Sequence, residues 1–300
     1  MTEPALHATE HEDTLERHAA ARKSTLVSVA VNLVLTVLQV VVGVFARSQA
    51  LIADGLHSLS DLLADFVVLV ASHHSRKGPD EDHPYGHQRY ENAASLVLGL
   101  LLLAVGVGML VSAAGKFNDP GSIPRVHPLA LFVALFTLVS KEGLFRYMLG
   151  IAERVRSTML VANAWHARSD ALSSLVVALG IAGNMLGYPL LDPAAALVVG
   201  LMIVKTGGEF AWDALSDLMD RAADAEAEAK IRETLLATPG VAGVHDLRTR
   251  KMGDMIVVDV HLEVDGDLNV REGHAIALDA RARVMAEHPA LNVMTHVDPN

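Results

Sequence analysis

The sequence predicts a multi-pass α-helical membrane protein of six transmembrane helices, followed by a C-terminal cytoplasmic α+β domain in the order αββαβ. Three observations carry that prediction. Hydrophobic residues make up 51% of the 300 positions, too many for an ordinary soluble protein with 20% charged residues. They gather between about Thr25 and Asp213, in runs near 20 residues long. Runs of that length match a hydrocarbon core of ~30 Å at ~1.5 Å of helix rise per residue. Beyond Asp213 the pattern becomes that of a soluble domain.

Residues 1–24 are polar and charged, and read as a cytoplasmic N-terminal tail. No apolar stretch follows a basic start there, as a cleaved signal peptide would require. His7, His11 and His18 lie in this acidic tail, which reads as disordered and at most a loose capture segment for metal. The membrane domain is expected over 25–212, with helices at about 26–46, 50–72, 93–115, 129–149, 158–186 and 192–210. The fifth is interrupted by the polar stretch AWHARSDALSS. Turn chemistry separates helices three and four (NDPGSIPR) and helices five and six (LGYPLLDP).

Charge bias orients the helices. Arg17, Arg22, Lys23, Arg76, Lys77, Arg89, Arg154 and Arg156 fall on one side, against Arg47, Lys116 and Arg125 on the other. The positive-inside rule therefore places both termini in the cytoplasm, as in a multi-pass protein of the cell (inner) membrane. In the domain at 213–300, Ala222 to Leu236 reads as a helix and the next segment as a strand ending near Lys251. Met252, Gly253 and Asp254 make a tight turn. Ile256, Val258, Val260, Leu262 and Val264 then alternate with Asp259, His261 and Glu263, as in a half-buried strand. A helix from about Val270 to Glu287 and a strand from Asn292 to Asp298 complete the order.

Composition restricts the chemistry. There is no cysteine, so disulfides and thiolate metal sites are excluded, and histidine and carboxylate remain as strong ligands. A net charge of -11 argues against a nucleic-acid partner.

Two membrane helices carry a repeated ligand spacing. His57 and Asp61 in the second, and His166 and Asp170 in the fifth, are each four residues apart and so share a helix face. Together they offer two imidazoles and two carboxylates, a set that suits a tetrahedral divalent ion such as Zn²⁺. Charged groups at mid-membrane cost about 2.5–3.5 kcal/mol each on insertion scales, so a duplicated motif points to function. Asp54 and Asp65 share the stripe of His57 and Asp61 and are expected to line the ion's approach. Asp61 and Asp65 could instead pair, leaving His57 outside. Asn163 is a candidate supporting group one turn before His166, and Lys141 and Glu142 are expected to neutralise each other or nearby charges.

With these motifs in hand, the chain resembles the cation diffusion facilitator family of zinc and related metal exporters over nearly its whole length. LIADGLHSLSDLLAD, DEDHPYGHQRYE, NAWHARSDALSS and PGVAGVHDLRTR with a late HVDP carry the likeness. The resemblance implies a homodimer exporting Zn²⁺ from the cytoplasm in exchange for protons, with a ferredoxin-like, metallochaperone-like cytoplasmic domain and no organic cofactor. It places the transport site at His57, Asp61, His166 and Asp170. Histidine at position 57 resembles the zinc-selective pattern, where aspartate goes with broader selectivity including iron and cadmium. His166 argues against the family's manganese exporters.

The resemblance further implies a loop site at Asp80, His83 and His87. It implies a binuclear cytoplasmic site at His245, His261, His274, His296 and Asp298, with Asp298 able to bridge two ions. An ion pair between Arg89 and Asp220 near the dimer contact is also implied. His73, His74, His127 and His288 are left as surface or interfacial residues.

The ligands themselves suggest coupling, since metal needs neutral imidazole and ionised carboxylate and so displaces protons. The expected mechanism is alternating access, with cytoplasmic metal binding shifting the population of states. A membrane metallohydrolase would want HExxH or three ligands with a general base, and neither is present. A sensor without transport gains nothing from costly ligands at membrane depth. A passive metal channel fits the same residues, and only transport against a zinc gradient would rule it out.

Overall fold

The computed structural model describes residues 3–75, 77–154, 158–253 and 255–300, with the side chains of 3–22 and of Asp65, His73 and Asn163 among those outside the description. The expectations for His7, His11, His18, Arg76, Arg156 and Asp254 also fall outside the described residues. The chain divides into two compact units, Met1–Asp65 with Leu101–Gly207 and Phe66–Leu100 with Gly208–Asn300.

Among the described residues, six long helices precede the small domain: α1 (Glu3–Ala46), α2 (Gln49–Ser75), α3 (Arg89–Asn118), α4 (Pro128–Arg154), α5 (Thr158–Met185) and α6 (Leu191–Leu218). By length and composition, Lys23–Ala46, α3, α4 and α6 are apolar enough to cross a membrane. Helices α2 and α5 carry the aspartates and histidines of the ligand motifs. Large hydrophobic side chains point outward along the helices, with Phe45 70%, Val111 68% and Val139 70% exposed. Such surfaces would drive association in water but suit a lipid solvent.

Two boundaries differ from expectation. The first helix begins at Glu3, so the segment expected to be disordered is helical. Its Leu-Glu-Arg-His-Ala-Ala-Ala-Arg-Lys run is built mainly of strong helix formers, which continue the membrane helix backwards. At the other end α6 runs to Leu218, past the expected boundary at 212, because no glycine or proline interrupts Trp212 to Leu218.

In the first unit α4 packs on α1 and α5. Leu144, Phe145 and Met148 meet Ala164 and Ala167 across the α4–α5 contact. Small residues allow close helix approach, as is common in membrane bundles. A Cβ added at Gly180 would lie 2.5 Å from the Cβ of Ala195, so α5 and α6 could not pack this closely with any larger residue. The start of α2 is held from α6. Asp192 accepts from the Ser48 hydroxyl at 2.6 Å and from the Gln49 backbone N–H at 2.8 Å. A carboxylate there satisfies otherwise unpaired N–H groups and suits the positive end of the helix.

The second unit contains α7 (Ala225–Leu236), β1 (Gly243–Met252), β2 (Met255–Val264), α8 (Val270–Glu287) and β3 (Ala290–Pro299), the αββαβ order expected. The sheet order is β1-β2-β3, with β1 antiparallel and β3 parallel to β2. Alternation along β2 decides the faces. Ile256, Val258, Val260 and Leu262 bury against Ile231 and Leu235 of α7 and Ala277, Ala280 and Val284 of α8. Asp259, His261 and Glu263 therefore lie on the other face. Gly253 turns the β1–β2 hairpin at φ 61°, a left-handed conformation that glycine adopts without strain. Its N–H donates to the Asn92 side-chain oxygen at 3.1 Å.

Candidate metal centres

Within the first unit α2 and α5 bring ligands together. His57, Asp61 and Asp170 each offer an atom within 4.8 Å of the others, and His57 Nε2 lies 4.0 Å from Asp170 Oδ1. Their i,i+4 spacing puts His57 and Asp61 on the α2 face that meets α5. His57 is buried, whereas Asp61 and Asp170 are half-buried. His166 is exposed one turn before Asp170 and lies outside the closest set, though within electrostatic range of His57. One imidazole and two carboxylates therefore converge here from two helices, donor types that suit a divalent cation.

In the second unit the Asp80–His87 loop forms another cluster. His83 Nδ1 lies 3.2 Å and His87 Nε2 3.4 Å from oxygens of Asp80. The Nδ1 of His87 faces the carbonyls of Lys77 and Gly78 at 3.3 and 3.2 Å. Carbonyls only accept, so Nδ1 is the donor there, and Nε2 is the ring atom turned toward Asp80. The hydrogen bond from Lys77, then those from the backbone and ring of His83, holds the Asp80 carboxyl well below its usual range and so ionised.

Strand register builds the third cluster. His245, His261 and His296 are direct cross-strand partners on β1, β2 and β3. Their ring centroids are 5.0 and 4.6 Å apart. Asp298 stands beside the row, 3.2 Å from His245, 2.8 Å from His261 and 3.2 Å from His296. The hydrogen bond from His261 is the main cause of its lowered pKa, with the nearby histidine charges adding to it. Asp298 is therefore an ionised carboxylate bonded to His261 and flanked by His245 and His296, the donor types of a His/carboxylate metal centre.

Two family models match the chain: the cation efflux transmembrane domain over residues 25–219 and the cation efflux protein cytoplasmic domain over residues 223–300. The chain belongs to the cation diffusion facilitator family. Metal tolerance protein C1 of Arabidopsis thaliana is 34% identical over 98% of this chain, which spans 65% of that relative's length. Manganese efflux system protein MneS of Bacillus subtilis is 33% identical over 95% of this chain and 99% of its own length. Among solved structures, a MamM-CTD chain is 26% identical over 25% of this chain and 95% of that one, with a TM-score of 0.25.

In this facilitator several expected residues fall elsewhere. Asp54 does not line an open approach. It is 0% exposed, with Ser173 and Ser174 donating at 3.0 and 2.7 Å and the Gln39 amide also donating. Lys141 Nζ stands 3.8 Å from it, so an ion pair and hydrogen bonds occupy the carboxylate. Lys141 therefore answers Asp54 and not Glu142, which pairs with Arg146 at 2.8 Å. Asp65 and Asn163 have side chains outside the described residues.

His274 does not join the cytoplasmic cluster of its own chain. It is exposed on α8, and α8 packs on the sheet face opposite the histidine row. Arg89 and Asp220 do pair, and Arg89 also donates to the Leu218 carbonyl at 3.0 Å. His288 hydrogen-bonds Thr234 at 2.8 Å, and His127 accepts from the Leu129 N–H at 3.2 Å, so both do local structural work.

Two cluster members went unassigned in the sequence. Asp246 sits 3.4 Å from His245, and Glu263 lies 3.8 Å from it. Asp246 lies where the register shifts between His245 and Arg248, with φ at 46°. Glu263 was legible, because it is two residues from His261 on the same strand face. Nothing in local sequence announces the bulge.

Proposed function

We propose that this chain is a proton-coupled exporter of divalent metal cations, with Zn²⁺ as the best-fitting substrate and His57, Asp61, His166 and Asp170 as its transport site. The convergence of His57, Asp61 and Asp170 from two helices, within 4.8 Å, carries the reading. Mixed imidazole and carboxylate donors without sulfur suit Zn²⁺ among the borderline metals. Facing the cytoplasm, neutral histidines and ionised aspartates take the ion and release protons. Facing outward, protonation of the same groups expels it. The family setting supports transport over catalysis, and the orientation follows from the charge bias of the loops.

His245, His261, His296 and Asp298 would hold regulatory metal in the cytoplasmic domain, with the Asp80, His83 and His87 loop as an accessory site. His274 lies on the wrong side of its own sheet, so it could complete such a set only in a second copy. That arrangement favours a homodimer tightened by metal, which biases the helical region toward one state.

Zinc efflux from proteoliposomes under an imposed pH gradient tests both halves. Undiminished flux in Asp61→Ala or Asp170→Ala would remove the site, and flux indifferent to the gradient would remove the antiport. A manganese or broader-range exporter is the second reading, favoured by the manganese efflux relative at 33% identity. Competition among Zn²⁺, Cd²⁺, Fe²⁺, Co²⁺ and Mn²⁺, with a His57→Asp variant alongside, separates the two.

A further inference from the structure

A buried lysine stands beside the transport cluster. Lys141 is 2% exposed, and its ammonium donates to Ser58 Oγ at 3.0 Å and to the Asp170 carbonyl at 3.4 Å. Its charge partner is Asp54, 3.8 Å away. Asp54 precedes His57 by three residues on α2, and so shares the helix face that carries His57 and Asp61. By spacing alone Asp54 is as well placed to be a ligand as Asp61.

The structure withdraws it. One oxygen of Asp54 accepts from Ser173 at 3.0 Å, and the other accepts from Ser174 at 2.7 Å and from Gln39. Four helices contribute to this arrangement: Gln39 from α1, Asp54 and Ser58 from α2, Lys141 from α4, and Ser173 and Ser174 from α5.

We infer that Lys141 is a selectivity-determining positioning residue: it neutralises Asp54 and keeps that carboxylate out of the ligand set. The inference rests on the transport-site reading above. Without Lys141 the pocket would hold three carboxylates, Asp54, Asp61 and Asp170, around two imidazoles. With it, Asp54 is taken up by the lysine, the serines and Gln39, and Asp61 and Asp170 remain the carboxylates that meet His57. An added carboxylate favours harder, oxygen-seeking ions over zinc, because Mn²⁺ prefers oxygen donors and higher coordination numbers. Lys141 thus biases the site toward Zn²⁺ and against Mn²⁺ by what it prevents.

The test measures equilibrium binding of Zn²⁺ and of Mn²⁺ to the full-length protein in nanodiscs, with Asp80→Ala and Asp298→Ala in the background so that the transport site is read. Lys141→Met is expected to tighten Mn²⁺ relative to Zn²⁺ by about tenfold, the scale of one uncompensated charge at short range. Asp54→Asn leaves the lysine uncompensated and is expected to weaken both metals by about tenfold. The double variant should return close to the background protein for both metals.

A merely structural lysine would weaken both metals alike, leave their ratio unchanged and gain nothing in the double variant; that pattern overturns the inference. Should Lys141→Met fail to fold, Asp54→Asn and the double variant decide, and binding unchanged in Asp54→Asn overturns it. Asp170→Ala serves as the separate control. If it still binds metal as the background protein does, the transport site itself is wrong. If it loses binding while the Lys141 and Asp54 variants stay silent, only the present inference falls.

Discussion

The helical centre and the cytoplasmic centre use the same two ligand types in opposite surroundings. In the helices His57 and Asp170 are 8% and 15% exposed at the side chain, and each charge must be matched by another. In the sheet the histidines around Asp298 are 37–66% exposed, and water screens their crowding. A helix offers ligands one turn apart, so a centre needs two helices and their packing. A sheet offers neighbours across strands, so register alone lines up His245, His261 and His296. Carrying an ion suits the first arrangement, whose ligands change solvent access when helices move. Sensing an ion suits the second, which is open to the surrounding solution.

Breaking each centre in turn should separate their jobs. The largest effect is expected for Asp170→Ala, which leaves His57 without the carboxylate 4.0 Å from its Nε2. Zinc flux into proteoliposomes should fall by about a hundredfold or more, exceeding the 10–100-fold typical of groups that only support metal ligands. Asp298→Ala should weaken metal binding at the cytoplasmic centre by a similar factor in calorimetry of the full chain, yet leave measurable flux at saturating zinc. Flux abolished by Asp298→Ala would erase the distinction between carrying and sensing.

The supports come next. Ile231 is 0% exposed in the core beneath the histidine row, so Ile231→Ala should cost the cytoplasmic domain about 2–5 kcal/mol, read from hydrogen exchange of its strands. The same substitution should leave the metal affinity of the helical centre unchanged.

The smallest effect is a pH dependence. Asp298 has a folded pKa below its unfolded value, chiefly through the His261 hydrogen bond. Its contribution to stability is present above the unfolded value of about 3.9 and disappears as pH falls through the lower folded value. Asp298→Asn should therefore flatten the acid limb of the domain's stability, measured by strand protection below about pH 4.

Much of this was legible because periodicity reports directly on burial. Alternation from Ile256 to Val264 gave β2 and put His261 on the outer face, where the structure has it. Both HxxxD motifs and the loop ligands Asp80, His83 and His87 were visible as spacings, and the structure brings His57, Asp61 and Asp170 within reach of one another. Asp54 was not legible. It has the spacing of a ligand, and only the serines of α5, Gln39 of α1 and Lys141 of α4 reveal that it is occupied. His274 was likewise indistinguishable from its companions until α8 took its place on one face of the sheet.

By itself the sequence determined what is set by neighbours along the chain: apolar runs long enough to span a membrane, ligands one helical turn apart and strand faces two residues apart. Tertiary structure decided which charge meets which. Lys141 and Asp54 are 87 residues apart in number, and no periodicity links them. Their pairing follows from packing four helices around groups that cannot be left bare in a medium of low dielectric.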